Sequence, residues 1–163
     1  MIVLDSYTDD DLIAFEEHGA LPLPEDTGHG SVPVDGALIW YGTYGGGEPV
    51  VLLHGGLGHS GNWGFQVPAL FAAGYQVVLI DTRGHGRSTR DARPFSYELL
   101  ASDVLAVLDA LRIEQVPLVG WSDGACTALI LARQAPARAA GLDLCASCAR
   151  SPVSLPHLAR SES

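Results

Sequence analysis

Three short runs constrain this chain more than anything else in it: VVLL at 50–53, YQVVLI at 75–80 and VPLVGW at 116–121. Each is apolar almost without a break and rich in β-branched residues. A strand with one wet face alternates apolar and polar side chains. An unbroken run of this length predicts a strand covered on both faces. Between the runs lie segments with helical spacing. The clearest is FSYELLASDVLAVLDALR (95–112), whose Leu99, Leu100, Val104, Leu108 and Leu111 form one stripe. Buried strands alternating with amphipathic helices build βαβ units, hence a parallel sheet with helices on both sides. NWGFQVPALFAAG (62–74) and ACTALILARQA (125–135) supply further helices, and AGLDLCA (140–146) begins a fourth strand. Ahead of them, SVPV and ALIWYGTY flank Asp35-Gly36, a two-residue hairpin signal. The fold class is therefore α/β, a three-layer αβα sandwich, mostly parallel, with an N-terminal hairpin.

Three regions follow. Residues 1–29 are an acidic arm and linker: eight acids and no arginine lie in residues 1–26, with a short capped helix predicted after Thr8. Residues 30–147 hold the α/β domain. Residues 148–163 have neither helical nor strand period. The text from 145 onward, CASCARSPVSLPHLARSES, reads either as a disordered terminus or as the product of a frame shift near residue 142. The chain contains no lysine, and its Arg-, Ala- and Gly-rich usage suggests GC-rich coding DNA.

Composition narrows the function classes. With 47% apolar and 17% charged residues the chain is globular. The net charge of −10 leaves no basic surface for a phosphate backbone, so nucleic acid is not an expected partner. No run approaches the ~20 apolar residues of a membrane helix. MIVLDSYTDDDL lacks the basic and apolar regions of a signal peptide, and the expected location is the cytoplasm. Cys145 and Cys148 make a lone CxxC, half of a zinc site without partners at metal spacing, so no metal is expected.

The chemistry-bearing stretch is Gly120-Trp121-Ser122-Asp123-Gly124, between a buried strand and a helix. Gly-x-Ser-x-Gly in that context is a nucleophile elbow, a sharp turn that lifts Ser122 Oγ above the sheet. The helix N-terminus favours negative charge, and the N–H of Asp123 would face a developing oxyanion. A serine that merely caps the helix is the bland alternative. Upstream, His54-Gly55-Gly56-Leu57 follows the first buried strand and would give a second oxyanion donor from Gly56 or Leu57. The same loop supports a rival reading. Gly56-Leu57-Gly58-His59-Ser60-Gly61 is GxGxxG, with Asp81 twenty residues later at a strand end, which satisfies a dinucleotide fingerprint on paper. The hydrolytic reading also accounts for the Ser122 turn; the dinucleotide reading does not. In Asp81-Thr82-Arg83-Gly84-His85-Gly86-Arg87-Ser88, the charged residues are expected to tie a glycine-rich loop together, and His85 is not nominated as a base.

LLHGGLGHSGNW, Gly74-Tyr75, DTRGHGRS and LVGWSDGA, in this order, resemble the α/β-hydrolase superfamily over about residues 30–144. GWSDG is similar in wording to its biphenyl-hydrolase-like and valacyclovir-hydrolase group. The resemblance implies no cofactor and hydrolysis of a small-molecule carboxylic ester through an acyl-serine. Ser122 would be the nucleophile, and Gly56, Leu57 and Asp123 the oxyanion-hole backbone. Serine at the elbow argues against dehalogenase and epoxide-hydrolase chemistry. The family order is Ser, then Asp or Glu, then His. After Ser122 the sequence offers only Asp143, inside an expected strand, and His157, in the irregular tail. The expectation is an inactive N-terminal portion of such an enzyme, whose unpaired last strand invites self-association. The competing class is a non-catalytic α/β protein that keeps the sheet for binding or assembly.

Overall fold

The computed structural model describes residue 19 and residues 21–145, with Cys145 described by its backbone alone. The N-terminal helix expected after Thr8, the tail residue His157 and Cys148 lie outside them. The chain enters the sheet through a hairpin of β1 (Gly28–Val34) and β2 (Ala37–Tyr44). Asp35 and Gly36 between them have φ of 43° and 85°, the left-handed pair that matches the twist of antiparallel strands. Val34 pairs with Ala37, so the register follows directly from the two-residue turn. β1 starts inside the segment read as linker. Gly28 pairs with Thr43, and the Thr27 N–H donates to Thr43 O at 2.8 Å. An edge strand needs only one ladder of hydrogen bonds, which glycine-rich sequence can supply.

The remaining strands are β3 (Pro49–Leu53), β4 (Gln76–Ile80), β5 (Val116–Trp121) and β6 (Ala139–Cys145). The sheet order is β1-β2-β4-β3-β5-β6. β4, β3, β5 and β6 are parallel, and the hairpin joins β4 antiparallel. The apolar runs behave as their composition requires. Val51, Leu53, Val78, Ile80 and Leu118 point into one core, while Val50, Leu52, Val77 and Leu79 point into the other. The first core is covered by α2 (Tyr97–Ala110) and α3 (Asp123–Gln134), through Val104, Leu108, Ala128 and Leu131. The second is covered by Trp63, Val67 and Leu70, the last two from α1 (Gln66–Ala72). These are the three layers.

The expected stripe of α2 is buried at Leu100, Val104 and Leu108 and half-buried at Leu99 and Leu111, and it widens to include Ala101 and Val107. Ser96 caps this helix, its hydroxyl accepting from the Leu99 N–H at 3.1 Å. The helix expected over 62–74 is split into a 3₁₀ turn, Ser60–Trp63, and α1, which ends before Gly74 at φ 86°. Among the described residues β6 has no neighbour on its outer edge, and Leu142 and Leu144 on it are exposed. Among the same residues, no helix is long and apolar enough to cross a membrane.

Candidate active site

β5 ends at Trp121 and α3 begins at Asp123, so Ser122 alone makes the turn between them. Its φ of 53° and ψ of −114° lie where residues with a Cβ seldom go. Two glycines make so tight a turn feasible. A Cβ on Gly120 would stand 2.5 Å from Gly124 O and 2.7 Å from Ala125 Cα. One on Gly124 would run into the Leu53 carbonyl and come within 2.8 Å of His54 O. The first turn of α3 therefore rests directly on the end of β3. Ser122 is exposed and its side chain does not cap the helix. Its carbonyl accepts from the N–H groups of Ala125 at 2.9 Å and Cys126 at 3.1 Å. The capping alternative fails, and among the described residues the hydroxyl has no hydrogen-bond partner; it stands at a helix N-terminus, where backbone N–H groups lack intrahelical partners.

The loop after β3 lies against this turn. An ideal Cβ on Gly55 would sit 3.2 Å from Ser122 Cβ, and one on Gly56 would collide with the Asp123 carboxylate. The Gly58 N–H closes the loop onto Gly55 O at 3.1 Å, and Leu57 at its tip has φ 60° and is 98% exposed. Gly56, Leu57, Ser122 and Asp123, widely separated in sequence, thus meet at one end of the parallel strands.

His54 anchors the loop from below and is not available to Ser122. It is buried; its Nδ1 donates to Gly55 O at 2.7 Å and its Nε2 accepts from the Thr82 N–H at 3.0 Å. That pairing fixes the neutral tautomer, and burial pulls the imidazole pKa below its ordinary value. Sequence reading assigned His54 no task.

Asp123 is held from the side. Its Oδ1 accepts from the Tyr97 hydroxyl at 2.8 Å, and this bond pushes the Tyr97 phenol up to about 12. Tyr97, the first residue of α2, was missed because nothing local marks it; only the packing of α2 on α3 brings it to Asp123. Asp143 lies inside β6 opposite Val119, not in a loop beyond a strand end. His157 lies outside the described residues.

The dinucleotide reading is overturned by the surroundings of Asp81. This carboxylate is fully buried and accepts from the Ser60 N–H at 2.7 Å and the Arg87 N–H at 2.9 Å. No face is left for a ribose, and the glycine loop leads into a single 3₁₀ turn, not a full helix. The next charged residue also ties the loop. Arg83 donates to Asp103 from Nε at 2.9 Å and Nη2 at 2.6 Å, and to Val34 O at 3.0 Å. It pins the loop to α2 and to the hairpin at once.

A parallel sheet with a strained, exposed serine between strand and helix, facing a glycine loop, defines the α/β-hydrolase class. The family model described as "alpha/beta hydrolase fold" matches residues 48–161, and the chain belongs to that family. It is similar to the dihydrolipoyllysine-residue acetyltransferase component of the acetoin cleaving system of Pseudomonas putida. The two are 42% identical over 116 residues, 70% of this chain and 31% of that one. Epoxide hydrolase B of Mycobacterium tuberculosis is 44% identical over 98 residues, 59% of this chain and 28% of that one. The serine hydrolase BPHL of Homo sapiens is 38% identical over 110 residues, 64% of this chain and 38% of that one. A solved structure described as Est816, an N-acyl homoserine lactone degrading enzyme, superposes with a TM-score of 0.67 at 39% identity. The match covers 71% of this chain and 44% of that one. The chain spans 28% to 38% of the length of these three curated relatives.

Proposed function

We propose that Ser122 is the nucleophile of a serine hydrolase acting on small-molecule carboxylic esters. The single observation that carries this reading is the geometry of Ser122: an exposed, unengaged hydroxyl held at positive φ on the N-terminus of α3. Ser122 Oγ attacks the ester carbonyl carbon, the carbonyl oxygen gains negative charge, and the alcohol leaves to give an acyl-serine that water hydrolyses. The N–H groups of Asp123 and of Gly56 or Leu57 receive the oxyanion. Serine, not aspartate, at this position supports acyl transfer over epoxide opening.

The hydroxyl proton needs a base. None of the described histidines is hydrogen-bonded to Ser122, and His54 is fully committed elsewhere. With no described histidine serving Ser122, the expected activity is no more than the residual ~10³–10⁴-fold advantage over water that an oxyanion hole and binding retain. The same observation favours the competing reading, a non-catalytic binding or assembly protein. Prolonged treatment with a fluorophosphonate, followed by peptide mass spectrometry, separates the two. The expected result is slow phosphonylation at Ser122 that is lost in Ser122→Ala, with negligible turnover of p-nitrophenyl acetate. Adducts scattered over surface serines with none at Ser122 would favour the binding protein. Brisk turnover abolished by His157→Ala would show that the tail provides the base.

A further inference from the structure

Asp123 puts a carboxylate one residue past Ser122, beside the place where negative charge would build during acyl transfer. Among the described residues this side chain has no ion pair, and the group it bonds is the Tyr97 hydroxyl, 2.8 Å from Oδ1. The other oxygen is spent on packing. An ideal Cβ on Gly56 would collide with Oδ2 and stand 3.3 Å from Cγ, so the carboxylate lies against this glycine. Gly56 needs that wall. Its neighbour is tied down, since the Gly55 carbonyl accepts from His54 Nδ1 at 2.7 Å and from the Gly58 N–H at 3.1 Å. Among the described residues neither the N–H nor the C=O of Gly56 is hydrogen-bonded, and Leu57 beyond it is 98% exposed. Where the loop would offer its oxyanion donor, it is packing on Asp123 that holds it. Tyr97 is well fixed for its part. It is the first residue of α2, Ser96 beside it caps the helix, and its ring meets Phe95 edge-on at 5.5 Å. Its phenol, pushed up to about 12 chiefly by the bond to Asp123, keeps its proton and stays a donor through the neutral range.

We propose that Tyr97 is a positioning residue of the Ser122 site: through the Asp123 carboxylate, its hydroxyl sets how close Gly56 stands to Ser122, and so whether the backbone donors converge on one oxyanion. The proposal rests on Ser122 being the nucleophile. One hydrogen bond thus ties α2 to the N-terminus of α3 and to the loop after β3. Without it, a half-buried carboxylate that has lost its donor turns toward water to regain one, because burying it unbonded is costly. That turn withdraws Oδ2 from Gly56. Oxyanion donors act at about 2.7–3.1 Å from the oxygen, and a misplacement of about 1 Å can cost on the order of 100-fold in rate.

The rate of Ser122 phosphonylation by a fluorophosphonate, read by peptide mass spectrometry beside the amide nitrogen–proton NMR spectrum, tests this. Tyr97→Phe removes one hydroxyl and no apolar surface, so far-ultraviolet circular dichroism should match the parent. It should slow phosphonylation about tenfold, as loss of a hydrogen bond to a charged group implies. It should also shift the amide signals of Gly56 and Leu57 while leaving those of the β1–β2 hairpin in place. Whatever Asp123→Ala does to the rate, adding Tyr97→Phe to it should change nothing further. In Asp123→Asn, whose amide oxygen still accepts from the phenol, Tyr97→Phe should again shift Gly56. No labelling of Ser122 in the parent would overturn the hydrolytic reading and this proposal with it. Given labelling in the parent, an unchanged rate in Tyr97→Phe, an unmoved Gly56 amide, or a further loss on the Asp123→Ala background would overturn the proposal alone.

Discussion

Replacing Ser122 by glycine should make the chain more stable. The backbone there has φ 53° and ψ −114°, a conformation that costs a residue with a Cβ on the order of 1–3 kcal/mol. Glycine removes that cost but gives up about 0.5–1 kcal/mol through its greater freedom when unfolded. Nothing else is lost, because the serine side chain is exposed and caps nothing. The net gain is about 1 kcal/mol, or roughly 2–4 °C in Tm for a chain of this size. Ser122→Ala keeps the Cβ and therefore the strain, and should stay within ~0.5 kcal/mol of the parent. Parallel urea and thermal unfolding of the three proteins reads the difference. If Ser122→Gly is no more stable than Ser122→Ala, the turn is not strained, and the idea that the fold stores energy at Ser122 is wrong.

Three further outcomes are expected. Gly124→Ala drives a Cβ into the backbone of Leu53 and His54, which cannot swing aside, and should destabilise by about 3 kcal/mol in urea unfolding. Asp103→Ala strands the buried Arg83 guanidinium and should cost about 3–5 kcal/mol, while Asp103→Asn, which keeps one acceptor, should cost less. His54 is buried neutral with a depressed pKa, so the unfolded chain binds its proton more readily than the folded one. Its contribution is complete above the unfolded value of about 6.5 and is lost as pH falls from there through the folded pKa. Urea midpoints across this window should drop with pH in the parent and drop less in His54→Asn; parallel curves would remove His54 from the explanation.

The parts of the fold that were legible are those in which local signal and burial agree. The runs at 50–53, 76–80 and 116–121 are apolar because both their faces are covered. Asp35-Gly36 accepts the two positive φ values of its turn. Gly120 and Gly124 bracket Ser122 because nothing larger fits. What escaped the sequence depends on residues meeting from afar. Arg83 finds Asp103, Tyr97 finds Asp123, and His54 spends both nitrogens on the loop and on Thr82. The GxGxxG run shows the same limit from the other side. It satisfies a pattern whose acidic residue, Asp81, is closed over by Ser60 and Arg87. No spacing rule reveals that a carboxylate is already occupied. The acid and the base that a catalytic Ser122 would need were not legible either, since Asp143 sits in mid-strand and His157 falls outside the described residues.

The strand order has a consequence for how the chain is made. β3 lies between β4 and β5, so on the ribosome it gains one neighbour early and the other late. Once β4 has emerged, the hairpin, β4 and β3 can assemble, with β3 as a temporary edge. Val51, Leu52 and Leu53 must then wait for Leu118, Val119 and Gly120, which arrive only after α2 has been synthesised. During that interval an all-apolar strand offers its free N–H and C=O groups to any other nascent chain. Slow elongation before Val116 would lengthen this exposure, and fast elongation through α2 would shorten it. The segment most secure in the finished sheet is thus the one most vulnerable during synthesis.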